Sequence, residues 1–175
     1  MPTLVLDPAA YEIEALLERR RRSGVDLFDE VWEGVLHVVP APNEAHARIE
    51  AQLIHLLTPL ANAAGLVVTS QFNLGEGKDD FRVPDGALHR ETGWGTWAPT
   101  AALVIEIVSP GDESWQKQPF YAAHGVDEIL IVDPSEHAVH WLALTDGEYR
   151  AVERSRVIDL GALDLAARID WPAIV

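Results

Sequence analysis

The 175-residue sequence contains no cysteine, which excludes disulfide frameworks, thiolate metal centres and cysteine nucleophiles. It is also poor in basic residues. Lys and Arg number 13 against 28 Asp and Glu, a formal net charge of −15, and lysine occurs only as Lys78 and Lys117. Proteins that hold a polyanion ordinarily use a basic face, because counterion release from phosphates supplies the affinity. The field of this chain as a whole repels nucleic acid, so chemistry on nucleic acid must rest on local geometry and on cations that invert the local potential. No apolar run approaches the roughly 20 residues of a membrane-spanning helix, and no membrane partner is expected. The N-terminal stretch lacks a basic segment and its apolar run is too short for a secretion signal, so the expected compartment is the cytoplasm.

What is present describes a folded protein. Hydrophobic residues make up 48% and charged residues 23% of the chain, values that exclude wholesale disorder. There is no internal repeat, low-complexity segment or linker, and the length predicts one domain over residues 1–175. Asp7-Pro8 reads as the start of a helix whose apolar face carries Tyr11, Ile13, Leu16 and Leu17 and which Ser23-Gly24 ends. Arg19 to Arg22 form the only basic run, most simply a solvated last turn favoured by the helix dipole. Two short strands around Glu33-Gly34 form a hairpin. Asn43 caps a long helix carrying Ile49, Leu53, Leu56, Leu57 and Leu60, ended by Gly65 and kinked or shortened by Pro59. Residues 66–74, 81–89 and 101–109 then read as three strands, a loop leads to a short helix, and residues 128–133 form a buried strand. An antiparallel pair follows, turning at Asp146-Gly147, and a tail with Leu160, Leu163, Leu165, Ile169 and Trp171 covers an edge. This order fits an α/β or α+β fold around a mixed sheet, with an N-terminal helix and hairpin.

The chemistry concentrates in residues 84–117. Asp85 follows Pro84 at a strand boundary, and Glu106 is enclosed by Val104, Ile105, Ile107 and Val108. A carboxylate inside such a run loses several kcal/mol of solvation unless a protein cation, a proton or a metal compensates it. Lys117 follows closely enough to return towards Glu106. Two carboxylates and a lysine converging at strand ends suit a hard divalent ion that polarises a phosphate and activates a water. The competing reading pairs Glu106 with an arginine such as Arg82 and leaves Asp85 as a turn residue. Lys117 reads equally as a solvated lysine at a helix start. His46 either lines the site or binds a phosphate, or is a turn histidine with one backbone hydrogen bond. Glu30 could add a third carboxylate. Glu50, one helical turn after His46, is a weaker candidate. Trp94 and Trp97, in a Gly-containing loop, could stack on bases, or form a lid or a dimer contact.

Read together, several of these segments resemble one known family. Glu30-Val31-Trp32-Glu33-Gly34, the Pro40 to Pro42 loop with His46, Pro84-Asp85, Ile105-Glu106-Ile107-Val108-Ser109-Pro110, Lys117 four residues before Tyr121, Gly125-Val126-Asp127-Glu128 and Val132-Asp133-Pro134 follow its order and spacing. The family is the Uma-type restriction endonucleases, bacterial members of the PD-(D/E)XK nuclease superfamily. The resemblance runs from about Asp29 to about Glu148. It implies a restriction-endonuclease-like mixed sheet flanked by helices, with Asp85, Glu106 and the backbone carbonyl of Ile107 holding Mg²⁺ or Mn²⁺. The superfamily lysine usually sits two residues after the glutamate; Val108 occupies that place here, and the family pattern assigns the role to Lys117. Pro119 beside Lys117, and Gly111-Asp112 where the family has Ser-Thr, are departures from the pattern.

Three functions of different class therefore frame the chain: a Mg²⁺- or Mn²⁺-dependent endodeoxyribonuclease, an inactive binding or regulatory protein of the same fold, and an acidic protein that pairs with a basic partner. The first is the expected one. It carries two further expectations, a weak and metal-dependent affinity for DNA and a symmetric homodimer.

Overall fold

Two tight turns set the strand pairs that the Gly-containing dipeptides mark. Glu33 and Gly34 lie at φ 49° and 85°, Asp146 and Gly147 at φ 54° and 83°. Positive φ at both central residues gives the turn a twist that matches the flanking strands, and glycine reaches it without strain. The computed structural model describes residues 4–6, 11–109, 111 and 113–172; Asp7-Pro8, Pro110 and Asp112 lie outside the described residues.

In chain order, β1 (Leu4–Leu6) and α1 (Tyr11–Ser23) precede the hairpin β2 (Glu30–Trp32) and β3 (Val35–Val38), followed by α2 (Glu44–Ala63). Then come β4 (Val67–Ser70), β5 (Asn73–Gly77), β6 (Asp80–Arg82), β7 (Gly86–His89), β8 (Trp97–Ala98) and β9 (Leu103–Ile107). A 3₁₀ turn at Ser114–Lys117 leads into α3 (Gln118–Ala123) and β10 (Glu128–Asp133). The hairpin β11 (Ala138–Thr145) and β12 (Glu148–Val152) and the short α4 (Ala162–Ala166) follow.

These strands form two mixed sheets, in the orders β1-β3-β2-β6-β5-β8 and β12-β11-β10-β9-β7-β4. The parallel pairs are β5 with β8 and β9 with β10. Helices and mixed sheets match the expected fold class, while two segments need correcting. Residues 66–74 and 81–89 each read as one strand, yet each supplies one strand to either sheet, β4 and β5, then β6 and β7. Pro84 has no N–H for a ladder, so pairing stops at the Val83-Pro84-Asp85 crossing. Gly86 lets the chain re-enter the second sheet closely: a Cβ there would lie 3.0 Å from the Thr69 carbonyl oxygen.

Pro59 does not end α2, which continues to Ala63. Pro59 and His55, whose carbonyl loses its helical partner, are both exposed, so water can satisfy that carbonyl. The Asn43 side chain caps α2 by accepting the His46 N–H at 2.9 Å, as expected. The helix ends at Gly65, φ 72°, with the Leu66 N–H donating to the Ala61 carbonyl at 2.8 Å.

The centre of the second sheet is buried on both faces, which is why β9 and β10 are nearly continuous apolar runs. Leu103, Ile105 and Ile107 pack against Ile49, Leu53 and Leu57 of α2, together with Leu160, Leu165 and Ile169 from the tail. Leu163 departs from the tail's expected role and is 86% exposed. Val104 faces the other way, towards Phe120 and Tyr121 of α3. Burial of each such aliphatic side chain contributes about 1.5–3 kcal/mol. Side chains alternate along a strand, so Glu106 falls on the face of Val104, against α3. Among the described residues no helix is long and apolar enough to cross a membrane.

The end of α1 is fixed by a buried ion pair. Arg20 donates from Nη2 and Nε to both oxygens of Asp29 at 2.5 and 3.1 Å, and from Nη2 to the carbonyls of Val25 and Val39 at 3.0 and 2.9 Å. Asp29 Oδ1 also accepts the Val39 N–H at 3.0 Å. Removing one partner of such a pair strands the other's charge. Arg20→Met should therefore cost about 3 kcal/mol in urea unfolding, while exposed Arg150→Met stays within about 0.5 kcal/mol of the parent.

Candidate active site

A cavity of about 150 Å³ opens where the chain passes between the sheets. Its wall includes Glu30 of β2, His46 of α2, Val83 and Asp85 of the crossing, Glu106 and Ile107 of β9, and Lys117 before α3. The predicted residues Asp85, Glu106, Ile107, Lys117, Glu30 and His46 are thus brought to one place from five segments.

Asp85 is held from two sides. Its Oδ2 accepts the Ile107 N–H at 2.7 Å, and its own N–H donates to the Ile105 carbonyl at 3.0 Å, extending the β7–β9 pairing by one residue. His46 Nε2 stands 2.9 Å from Asp85 Oδ1. A carboxylate only accepts, so Nε2 carries the proton, leaving Nδ1 to face the Ser109 hydroxyl at 3.3 Å. Burial opposes the imidazolium, but the hydrogen bond and charge of Asp85, helped by Glu50 and Glu106, outweigh it and raise the His46 pKa. Glu50 also titrates higher than usual, through burial and the charge of Asp85. It is a neighbour of the site and not part of the cavity wall.

Glu106 is 2% exposed. Lys117 Nζ donates to its two oxygens at 3.1 and 3.0 Å, and the Tyr121 hydroxyl donates to Oε1. Burial drives the Glu106 pKa up; Lys117 opposes, Asp85 and Glu30 reinforce, and the result is about 8. The same ammonium meets Glu30 Oε1 at 2.9 Å. Glu30 is further held by the Val83 N–H at 2.8 Å and by Trp32 Nε1 at 2.7 Å. For Lys117, burial disfavours the charge, yet Glu106 and Glu30 overcome it and raise its pKa, so the amine is a cation.

Pro119 does not displace this amine. It lies in the first turn of α3, where a backbone N–H has no helical partner, and Lys117 precedes it at the helix cap. Arg82 takes no part in balancing Glu106. Its Nη1 pairs with Asp80 at 2.9 Å, and its guanidinium lies between the Trp32 and Phe120 rings, 4.3 and 4.0 Å from their centroids. Trp94 and Trp97 are not brought to the cavity. Trp94 packs on His89 and Trp97 on Phe81, at 4.7 and 5.0 Å between ring centroids.

Nothing in the sequence marks His37 as part of the site or shows that the Tyr121 hydroxyl meets Glu106. Tyr121 stands four residues after Lys117, a helical spacing that puts both side chains on one face and at Glu106. His37 stacks on Trp32 at 4.2 Å, and its Nδ1 donates to Glu113 Oε2 at 2.8 Å, closing one side of the cavity. No sequence signal ties residues 37 and 113 together.

Among the described residues, no three His, Asp or Glu side chains are grouped to hold a metal ion by themselves. The arrangement nevertheless suits a magnesium-like ion, which keeps several waters and uses one or two carboxylates plus substrate phosphates. Glu30 and Glu106 share the Lys117 ammonium, and Asp85 faces His46, in a largely buried wall. Once the Glu106 proton is displaced, the three carboxylates outnumber the one ammonium, and a divalent cation would neutralise that excess.

A family model for Uma2, described as putative restriction endonuclease, matches residues 15–167. The structure is similar to the crystal structure of a putative nuclease belonging to DUF820 from Anabaena variabilis, with a TM-score of 0.65 and 17% identity over 80% of this chain and 90% of that chain. That likeness shows a shared fold. A cryo-electron-microscopy structure of a DrdV–DNA complex aligns with 88% of this chain and 12% of that chain, at 19% identity and a TM-score of 0.40. No curated protein matches the chain.

Proposed function

This chain belongs to the Uma2 family, and we propose that it is a metal-dependent endonuclease that hydrolyses DNA phosphodiester bonds at the Glu106 cavity. The observation that carries the reading is the meeting of Asp85, Glu106 and Lys117 at one cavity with an excess of carboxylate. The family's description supports a nuclease; the metal, the substrate and the residue roles belong to the proposal, as do one working domain over residues 1–175 and a symmetric dimer, since cutting two strands needs two sites.

Asp85, Glu106 and the Ile107 carbonyl would hold Mg²⁺ or Mn²⁺. Such an ion supplies Lewis acidity towards a phosphate oxygen and acidifies a bound water. The protein's own contributions follow from its contacts. His46 and the Ile107 N–H fix both oxygens of Asp85, so the carboxylate is oriented before substrate arrives. Tyr121 does the same for Glu106. Glu30 holds Lys117 beside Glu106, where the ammonium can face charge developing on the phosphate. Trp32, with the His37 ring stacked on it, forms one wall of the cavity.

Supercoiled plasmid incubated with the protein and Mn²⁺ or Mg²⁺ should become nicked, and EDTA should abolish nicking. Nicking indifferent to the chelator, or intact plasmid with either ion, would overturn the reading.

A further inference from the structure

A protein of net charge −15 that acts on a polyanion needs a place where phosphate can come to rest. Among the described residues outside α1, Arg48 pairs with Asp170, Lys78 with Asp79, Arg90 with Asp127, and Arg154 with Asp159 and Asp164. Among the same residues Arg150, Arg156 and Arg168 are exposed without an ion pair but are not consecutive. The end of α1 is different. Arg19, Arg20, Arg21 and Arg22 are consecutive, and nearby acids take up only part of their charge: Asp29 neutralises Arg20, and Glu18 lies 3.0 Å from Arg22 and 3.9 Å from Arg21. Arg19 has neither a hydrogen bond nor an ion pair among the described residues.

The position of this surplus gives it meaning. Arg20 bonds the carbonyl of Val39, which lines the cavity, and the carboxylate of Asp29, which stands between the lining residues Phe28 and Glu30. The last turn of α1 is therefore fastened to the rim of the acidic cavity by a buried ion pair. At 100° per residue, Arg19 and Arg21 flank the inward-facing Arg20, while Arg22 points to the opposite side. Both flanking residues are exposed.

The geometry points to the α1 end, through Arg19 and Arg21, as the surface that grips the sugar-phosphate backbone of duplex DNA beside the scissile bond. This rests on the nuclease reading and adds a location to it. The acidic interior receives the reacting phosphate through its cation, and the basic rim contacts flanking phosphates, which need no ion. Arg20 sets where the two flanking guanidinium groups stand and does not itself meet the substrate.

Binding to a fluorescein-labelled duplex, measured by anisotropy across a KCl series with Ca²⁺ in place of Mn²⁺, tests this. Each phosphate contact contributes about 0.9 to the slope of log K against log [salt], so Arg19→Gln/Arg21→Gln should lower that slope by roughly two and weaken binding at low salt about tenfold or more. Arg150→Gln/Arg156→Gln makes the same change in net charge at exposed residues outside the cavity wall, and should leave the slope within about 0.5 of the parent. An unchanged slope in the α1 variant, an equal fall in both variants, or a parent that binds no duplex would each overturn the inference. Plasmid nicking by the same preparations reports separately on the nuclease reading. Parent protein that nicks plasmid while the α1 variant keeps its slope would remove the surface and leave the active site standing.

Discussion

Asp85→Asn and Glu106→Gln should each lower Mn²⁺-dependent plasmid nicking by about 10³-fold or more, because each removes a charged ligand while nearly preserving shape. Calorimetry should show Mn²⁺ affinity lost in parallel, and circular dichroism should show both variants folded. The affinity of the parent should also depend on pH with a defined sign. Glu106 keeps its proton up to about pH 8, through burial against the pull of Lys117. A cation that binds there displaces that proton, so Mn²⁺ affinity should rise from about pH 6 to about pH 8 and level off above. The same raised pKa means that, without a cation, the group's contribution to stability is complete below the ordinary carboxyl range and is lost as pH rises through about 8. Glu106→Gln should flatten the affinity profile. Nicking that persists in either variant, or a profile unaltered by Glu106→Gln, would separate this carboxylate from the ion.

Lys117→Met should give the largest loss of stability. The ammonium lies between Glu30 and Glu106, both nearly fully buried, and its removal leaves two carboxyl groups facing each other without a cation. Breaking a buried ion pair from one side costs about 3–5 kcal/mol, a fall in melting temperature of roughly 10 °C or more for a chain of this size. The loss should be partly reversed by adding Glu30→Gln, which removes the carboxylate left without its cation. A Lys117→Met protein that melts with the parent, or gains nothing from the second substitution, would show that the amine balances neither acid.

Much of this architecture could be read from residue patterns. The hairpin turns carried their signal in Glu33-Gly34 and Asp146-Gly147, and the start of α2 in the capping side chain of Asn43. The carboxylate within the β9 run announced that something must compensate it, and the resemblance of residues 84–121 to a known pattern named Asp85, Glu106 and Lys117 together. What the sequence concealed is tertiary. Residues 66–74 have strand character throughout, so nothing local says that β4 and β5 join different sheets. Tyr121 looks like any core aromatic until Glu106 is seen to face α3. The His37–Glu113 contact joins residues 76 positions apart. Trp94 and Trp97 looked available for stacking because a loop containing glycines gives no hint of the ring contacts that hold them.

The cavity takes Glu30 from one sheet, Glu106 from the other, and Asp85 from the crossing between them. Neither sheet on its own presents a competent arrangement. A folding intermediate with only the second sheet formed would bury a glutamate that has lost its neighbours from β2, and contacts between residues so distant in sequence form late. The proposed site and the native state should then mature in the same final step, so that a partly folded chain lacks the arrangement the proposed chemistry needs.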